Sequence, residues 1–181
     1  MTFVLPVGFM TSGILNNDTP SVVGISAVQW NNGFETVARI PSSTEGYISY
    51  TSRRYNILGQ SSYAMVGLSR ASDPVVTSYT GIRYVLYTAN TLEVWQSGTR
   101  KYYGRTYTDG DTVSLHRSAS GVITYRHKGV IFYTSTINDT AEMKGDGSLS
   151  KTHDRAENII LNNGTDTFNP EFDNKVNVAE Y

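Results

Sequence analysis

The chain has no cysteine among its 181 residues. Disulfide frameworks, cysteine-ligated zinc and thiol redox sites are therefore excluded. Stability has to come from a packed core. A domain of this length buries roughly 70% of the surface its unfolded chain exposes, so it can stand without covalent staples. The absence does not assign a compartment, because secreted bacterial and viral proteins also dispense with cysteine. Charge of one sign is lacking too: 15 Lys and Arg face 16 Asp and Glu, for a net charge of −1. Such a balance offers no field to draw in nucleic acid or an anionic membrane, and neither is expected as a partner. The densest basic group, Arg100, Lys101 and Arg105, is too small to form a patch. No apolar run approaches the length needed to span a bilayer, so membrane insertion is not expected. Met1 to Pro6 shows neither a basic region nor a sustained apolar stretch, and does not read as a signal peptide. The expectation is a chain left unprocessed, as a virion protein would be, or a piece of a longer protein.

Tyrosine is what the chain has in excess: 13, beside 6 Phe and 2 Trp. Tyrosine packs well on a half-buried pleat and is enriched at recognition surfaces. Strand signals recur along the chain and helix signals do not. Gly46-Tyr47-Ile48-Ser49-Tyr50-Thr51 alternates at period two. Ile82 to Tyr87 is apolar on both faces, as an inner strand would be. Thr91 to Gln96 sets Leu92 and Val94 on one face, Glu93 and Trp95 on the other. Asp111 to Arg117 points Val113 and Leu115 inward. Asn32-Gly33, Ser97-Gly98, Asp109-Gly110, Ser120-Gly121 and Lys128-Gly129 supply turn punctuation. Asn158 to Leu161 reads as a final strand. Short strands at this spacing argue for an all-β sandwich or barrel. We read residues 1–21 as an N-terminal arm or peripheral strand and 22–164 as a sandwich domain. Residues 165–181 read as a polar C-terminal tail that wraps the surface or is loose.

The succession of blocks carries a resemblance. Gly46 to Tyr50 is followed by Ala64-Met65-Val66-Gly67-Leu68-Ser69, by Tyr84 to Tyr87 and by Leu92 to Gly98. Asp109 to Arg117 comes next, and last the hairpin-like run Gly121 to Ser135. This pattern resembles the concanavalin A-like lectin and glucanase superfamily in its SPRY-like branch, as found in bacterial extracellular and phage tail or surface proteins. The resemblance spans about two-thirds of the chain. It implies a two-sheet antiparallel jelly-roll sandwich, with ligands held at a concave face or in edge loops. The final hairpin departs from the family's Asn-Gly turn, having His127-Lys128-Gly129. Lysine tolerates the left-handed region less well than asparagine, so Gly129 is expected to supply it.

The familiar catalytic patterns are missing from the sequence. Glycoside hydrolysis needs paired carboxyls, which the glucanase branch places on one strand at period two. Only Glu171-Phe172-Asp173 begins such a pattern, and it lies in the tail. His116, His127 and His153 have no metal spacing and read as solvated surface residues. No nucleophile elbow and no metalloprotease motif is present. The chain is therefore not expected to be an enzyme. Calcium prefers loop oxygens, for which Asp109, Asp111 and Asp146 are weak candidates, with Asp166, Asn169 and Asp173 in the tail. The same Asp-Gly pairs are also ordinary turns, and no other cofactor is expected. Asn17, Asn138 and Asn163 open glycosylation-type triplets, which matter only in a eukaryotic secretory chain.

The aromatic residues are the best functional lead. Trp95 beside Glu93 could stack on a sugar or pack under a covered face. Trp30 leans toward a core role. Tyr102, Tyr103, Arg105 and Tyr107 cluster with the mixed character of a recognition loop, or line an ordinary strand. The expected function is a lectin-like recognition domain for a glycan or cell-surface ligand. Its setting would be a phage fibre, virion or bacterial adhesion apparatus, outside the cell or on its surface. The alternative is a SPRY-like interaction module that assembles into a homo-oligomer.

Overall fold

The structure is a computed structural model that describes residues 21–25, 27–74, 77–164, 167–168, 172–176 and 178–180. Strands follow one another almost without interruption. They are β1 (Val22–Gly24), β2 (Asn32–Ile40), β3 (Gly46–Thr51), β4 (Ala64–Arg70) and β5 (Tyr84–Thr88). Then come β6 (Leu92–Gln96), β7 (Thr99–Arg105), β8 (Thr112–Arg117), β9 (Ile123–His127) and β10 (Val130–Thr134). The last are β11 (Met143–Leu149), β12 (Arg155–Asn162), β13 (Thr167–Phe168), β14 (Phe172–Val176) and β15 (Val178–Glu180). Helix is limited, among the described residues, to one 3-10 turn at Tyr79–Gly81. No helix among them is long and apolar enough to cross a membrane.

The strands form two antiparallel sheets. The first runs β10-β9-β8-β3-β12-β1-β15, with β13 also on β12; the second runs β14-β2-β11-β4-β5-β6-β7. This is an all-β, two-sheet sandwich of the jelly-roll kind. Period two decides which residues lie between the sheets. Ile48 and Tyr50, Val113 and Leu115, Ile123 and Tyr125, and Ile159 and Leu161 come from the first sheet. Phe34, Val66, Leu68, Tyr84, Leu86, Leu92, Val94 and Leu149 meet them from the second. The tyrosine hydroxyls in this layer are satisfied. That of Tyr50 donates to the Leu86 carbonyl at 3.1 Å, and that of Tyr84 to Asp139 at 3.2 Å.

One stretch differs from the sequence reading. Lys144-Gly145-Asp146-Gly147, read as a loop, is the middle of β11, held between β2 and β4. Its glycines answer a packing need rather than a turn. A Cβ at Gly147 would lie 2.3 Å from the Phe34 ring, so only glycine lets that ring lie across the sheet. The segment read as a polar tail that wraps the surface or is loose contributes edge strands: β14 pairs with β2 and β15 with β1. Residues 1–20, with most of the expected arm, lie outside the described residues, as do Asp166, Asn169 and Glu171.

The β9–β10 hairpin closes on a tight turn in which Lys128 (φ 51°) and Gly129 (φ 77°) are both left-handed. Gly129 alone was expected to take that conformation. The Lys128 ammonium lies 2.7 Å from Asp111 Oδ1, an ion pair that offsets the cost of the conformation.

Candidate functional site

The residues singled out from sequence are divided among four places. Glu93 and Trp95 do share the outer face of β6, and the Trp95 indole N–H donates to Glu93 Oε2 at 2.9 Å. Trp95 packs there with Trp30, Tyr79 and Tyr87 over Met65, Ile82 and Val85. Ring centroids within this group lie 5.1 to 6.4 Å apart, edge toward face. It is a second, smaller core covering the outer face of the second sheet, so the indole is half-buried among other rings. Tyr102 points between the sheets' outer edges, against Phe132 and Tyr133. Tyr103 is exposed, with the Arg100 guanidinium 4.8 Å from its ring centre. Arg105 lies over Phe132 and reaches His127 Nδ1 at 3.4 Å. Tyr107 corrects the sequence reading: it is buried in the main core, its hydroxyl donating to the Ala89 carbonyl at 2.5 Å. It cannot touch a surface ligand.

The carboxylates considered for calcium are engaged elsewhere. Asp109 pairs with Arg53 at 3.1 Å and accepts the Arg54 amide at 2.7 Å. Asp111 is buried beneath Lys128 and His127, each at 2.7 Å. Burial opposes its ionisation, but Lys128, the Thr108 amide and His127 outweigh that and hold it below the usual carboxylate range. Asp146 is 1% exposed within β11. Among the described residues no group of three or more acids and histidines is placed to hold a metal ion.

A different constellation lies on the outer face of the first sheet. Because Ile48 and Tyr50 point inward on β3, Tyr47 and Ser49 point outward. The same phase turns Ser114 and His116 outward on β8, and Thr124 and Arg126 on β9. Register then sets them in rows across the sheet. Asn162, Tyr47, His116 and Thr124 are successive cross-strand partners. Ile160, Ser49, Ser114 and Arg126 form the next row. A depression of about 380 Å³ opens over the first row and is reached from the second by Arg126; Glu45, Tyr47, His116, Thr124 and Asn162 also line it, among others.

Tyr47 and His116 stack across the strand pair, with ring centroids 4.7 Å apart and planes at 22°. His116 Nε2 lies 3.0 Å from Ser114 Oγ. Burial, helped by the charge of Arg126, pushes the His116 pKa down to about 4. The imidazole is therefore neutral near pH 7, able to hydrogen-bond in either sense. His116 was read as a solvated surface residue; it is instead half of an aromatic pair. His127, also read as solvated, is buried against Asp111.

Beneath the rim, Arg117 anchors the surrounding loops. It is 1% exposed and donates to the carbonyls of Pro41, Thr44 and Ala141. This ties the β2–β3 turn to the segment before β11. Arg126 is the opposite case. Its Nε–H is buried and has no hydrogen-bond partner.

No family model matches the sequence, and no curated protein matches it. Among solved structures, the chain is similar to the SPRY domain of human HERC1, at 14% identity and TM-score 0.47, over 75% of this chain and 85% of that one. It is similar to carbohydrate-binding module CBM66 from Bacillus subtilis, at 9% identity and TM-score 0.43, over 79% and 83%. It is also similar to alginate lyase AlgAT5 of Polysaccharide Lyase family 7, at 14% identity and TM-score 0.43, over 77% and 63%.

Proposed function

We propose that the chain is a non-catalytic recognition domain that binds a glycan in the depression on its first sheet. The observation that carries this is the stacked Tyr47–His116 pair set between Thr124 and Asn162 in the lining of the depression. A sugar ring offers an apolar face and a rim of hydroxyls; an aromatic surface beside fixed hydroxyl and amide groups meets both. In this reading the depression does not hydrolyse glycosides, since Glu45 is the only carboxylate among its lining residues. Glycoside hydrolysis takes two facing carboxyls. Calcium is not required in this reading, since Asp109 and Asp111 are held by Arg53, Lys128 and His127. Display on a phage fibre, virion or bacterial adhesion apparatus belongs to the same proposal, and suits a tyrosine-rich domain that folds without disulfides.

A glycan array probed with the purified protein tests it, run with calcium and with chelator. Binding is expected in both, and Tyr47→Ala should weaken it by at least about tenfold. Binding that survives Tyr47→Ala unchanged would refute the site. Shortening of the bound glycans on prolonged incubation would refute the non-catalytic reading. A second reading rests on Val130 and Ile131 of β10 and Tyr103 of β7, exposed on the end strands of the two sheets among the described residues. That is where a second copy would add. A silent array together with a stable dimer in light scattering would favour it.

A further inference from the structure

Arg126 is singular among the described arginines. Arg39, Arg53, Arg70, Arg83, Arg100 and Arg155 each meet a carboxylate. Arg117 and Arg54 donate to backbone carbonyls, and Arg105 lies on a ring and a histidine. Arg126 has none of these, although its Nε–H is buried. Leaving such a donor without an acceptor is costly, and a buried cation normally has a counter-charge. The lining's one carboxylate, on Glu45, stands exposed and forms no ion pair with Arg126. Arg126 nevertheless lines the depression, one register row from the Tyr47–His116 pair.

We infer that the depression takes an acidic saccharide, whose carboxylate or sulfate ester supplies the partner Arg126 lacks while the sugar ring lies against Tyr47 and His116. This rests on the glycan reading above. The guanidinium fork matches two oxygens of a carboxylate or sulfate ester, and an anion meets its charge where the hydroxyls of a neutral sugar can only accept a hydrogen bond. Thr124, the cross-strand partner of His116 and itself in the lining, offers a hydroxyl to the remaining oxygens.

Calorimetric titration of the whole chain tests this with three probes on one backbone: an oligogalacturonate, its carboxyl-reduced neutral counterpart, and a sulfated form of that counterpart. The expected result is binding of at least one acidic probe, with the neutral probe at least about tenfold weaker. The carboxylate and sulfate arms identify which oxyanion fits. Arg126→Gln should remove the acidic preference without lowering thermal stability, because the half-buried Arg126 makes no hydrogen bond or ion pair that the change would break. A merely structural arginine would lower stability instead. Raising NaCl from about 50 to about 200 mM should weaken the acidic probe and spare the neutral one. Equal binding of the neutral probe, lost in Tyr47→Ala but not in Arg126→Gln, would overturn the inference and leave the glycan reading standing. Arg126→Gln binding the acidic probe as tightly as the wild type would overturn it as well. If Tyr47→Ala leaves all three affinities unchanged, both readings fall.

Discussion

Arg117 and Arg126 lie nine residues apart, on adjacent strands, and their guanidinium groups have opposite surroundings. Arg117 turns inward and is saturated by backbone carbonyls, so its task is to hold loops. Arg126 turns outward and is left with a buried donor unused. Its charge is felt by His116, whose pKa is pushed down first by burial and then by Arg126. Arg126→Gln should therefore raise the His116 pKa from about 4, without reaching the ordinary value of 6.5, because burial remains. Titration of the ring carbons by NMR reads this directly. A pKa that does not move would mean the two groups are not coupled.

At the scale of the element, β11 shows how a strand can hide in its own sequence. Glycine and aspartate normally punctuate chains, so Lys144-Gly145-Asp146-Gly147 carries the signature of a turn. The structure uses Gly147 to admit the Phe34 ring. Gly147→Ala should cost roughly 1–3 kcal/mol or more through overpacking. Gly59→Ala, at a left-handed position with nothing within 4 Å of the added carbon, should cost only about 1 kcal/mol. Urea unfolding of the two variants gives the comparison, and the reverse order would contradict this account. Strands whose neighbours leave alternation intact were legible: Leu92 and Val94 inward, Glu93 and Trp95 outward, Val113 and Leu115 inward. The candidate site was half legible. Alternation turns Tyr47, His116 and Arg126 outward, but nothing local in the sequence says that residue 47 stands opposite 116, or 114 opposite 126. That register is fixed by the sheet as a whole. In the run Tyr102 to Tyr107, read as a recognition loop or an ordinary strand, residues 102–105 lie on β7 and Tyr107 is buried in the core: proximity in sequence does not survive a strand's alternation and the chain's turn inward.

For the whole molecule, two titrations oppose each other. His116 has its folded pKa lowered from 6.5 to about 4, so its protons bind preferentially to the unfolded chain. Its contribution is complete above about pH 6.5 and is lost as pH falls toward 4. Asp154 has its pKa raised from 3.8 to about 6, chiefly by burial, and its Oδ1 has no partner. Its contribution is complete at low pH and is lost as pH rises through 6. Between about pH 4.5 and 6 the slopes oppose, and the stability of the wild type should change little. Asp154→Asn should then lose stability on acidification, while His116→Gln should gain it. Urea midpoints at both pH values test this; parallel behaviour of the two variants would contradict the assignments.

The order of strands in the sheets has a consequence for biosynthesis. Phe34 of β2 faces Gly147 of β11, 113 residues later in the chain. At about 5–20 residues per second, β2 waits roughly 6–23 s on the ribosome for its first partner. During that interval Phe34 and Ile40 have no sheet to enter. Neither sheet can reach its final order until the last third of the chain has been made.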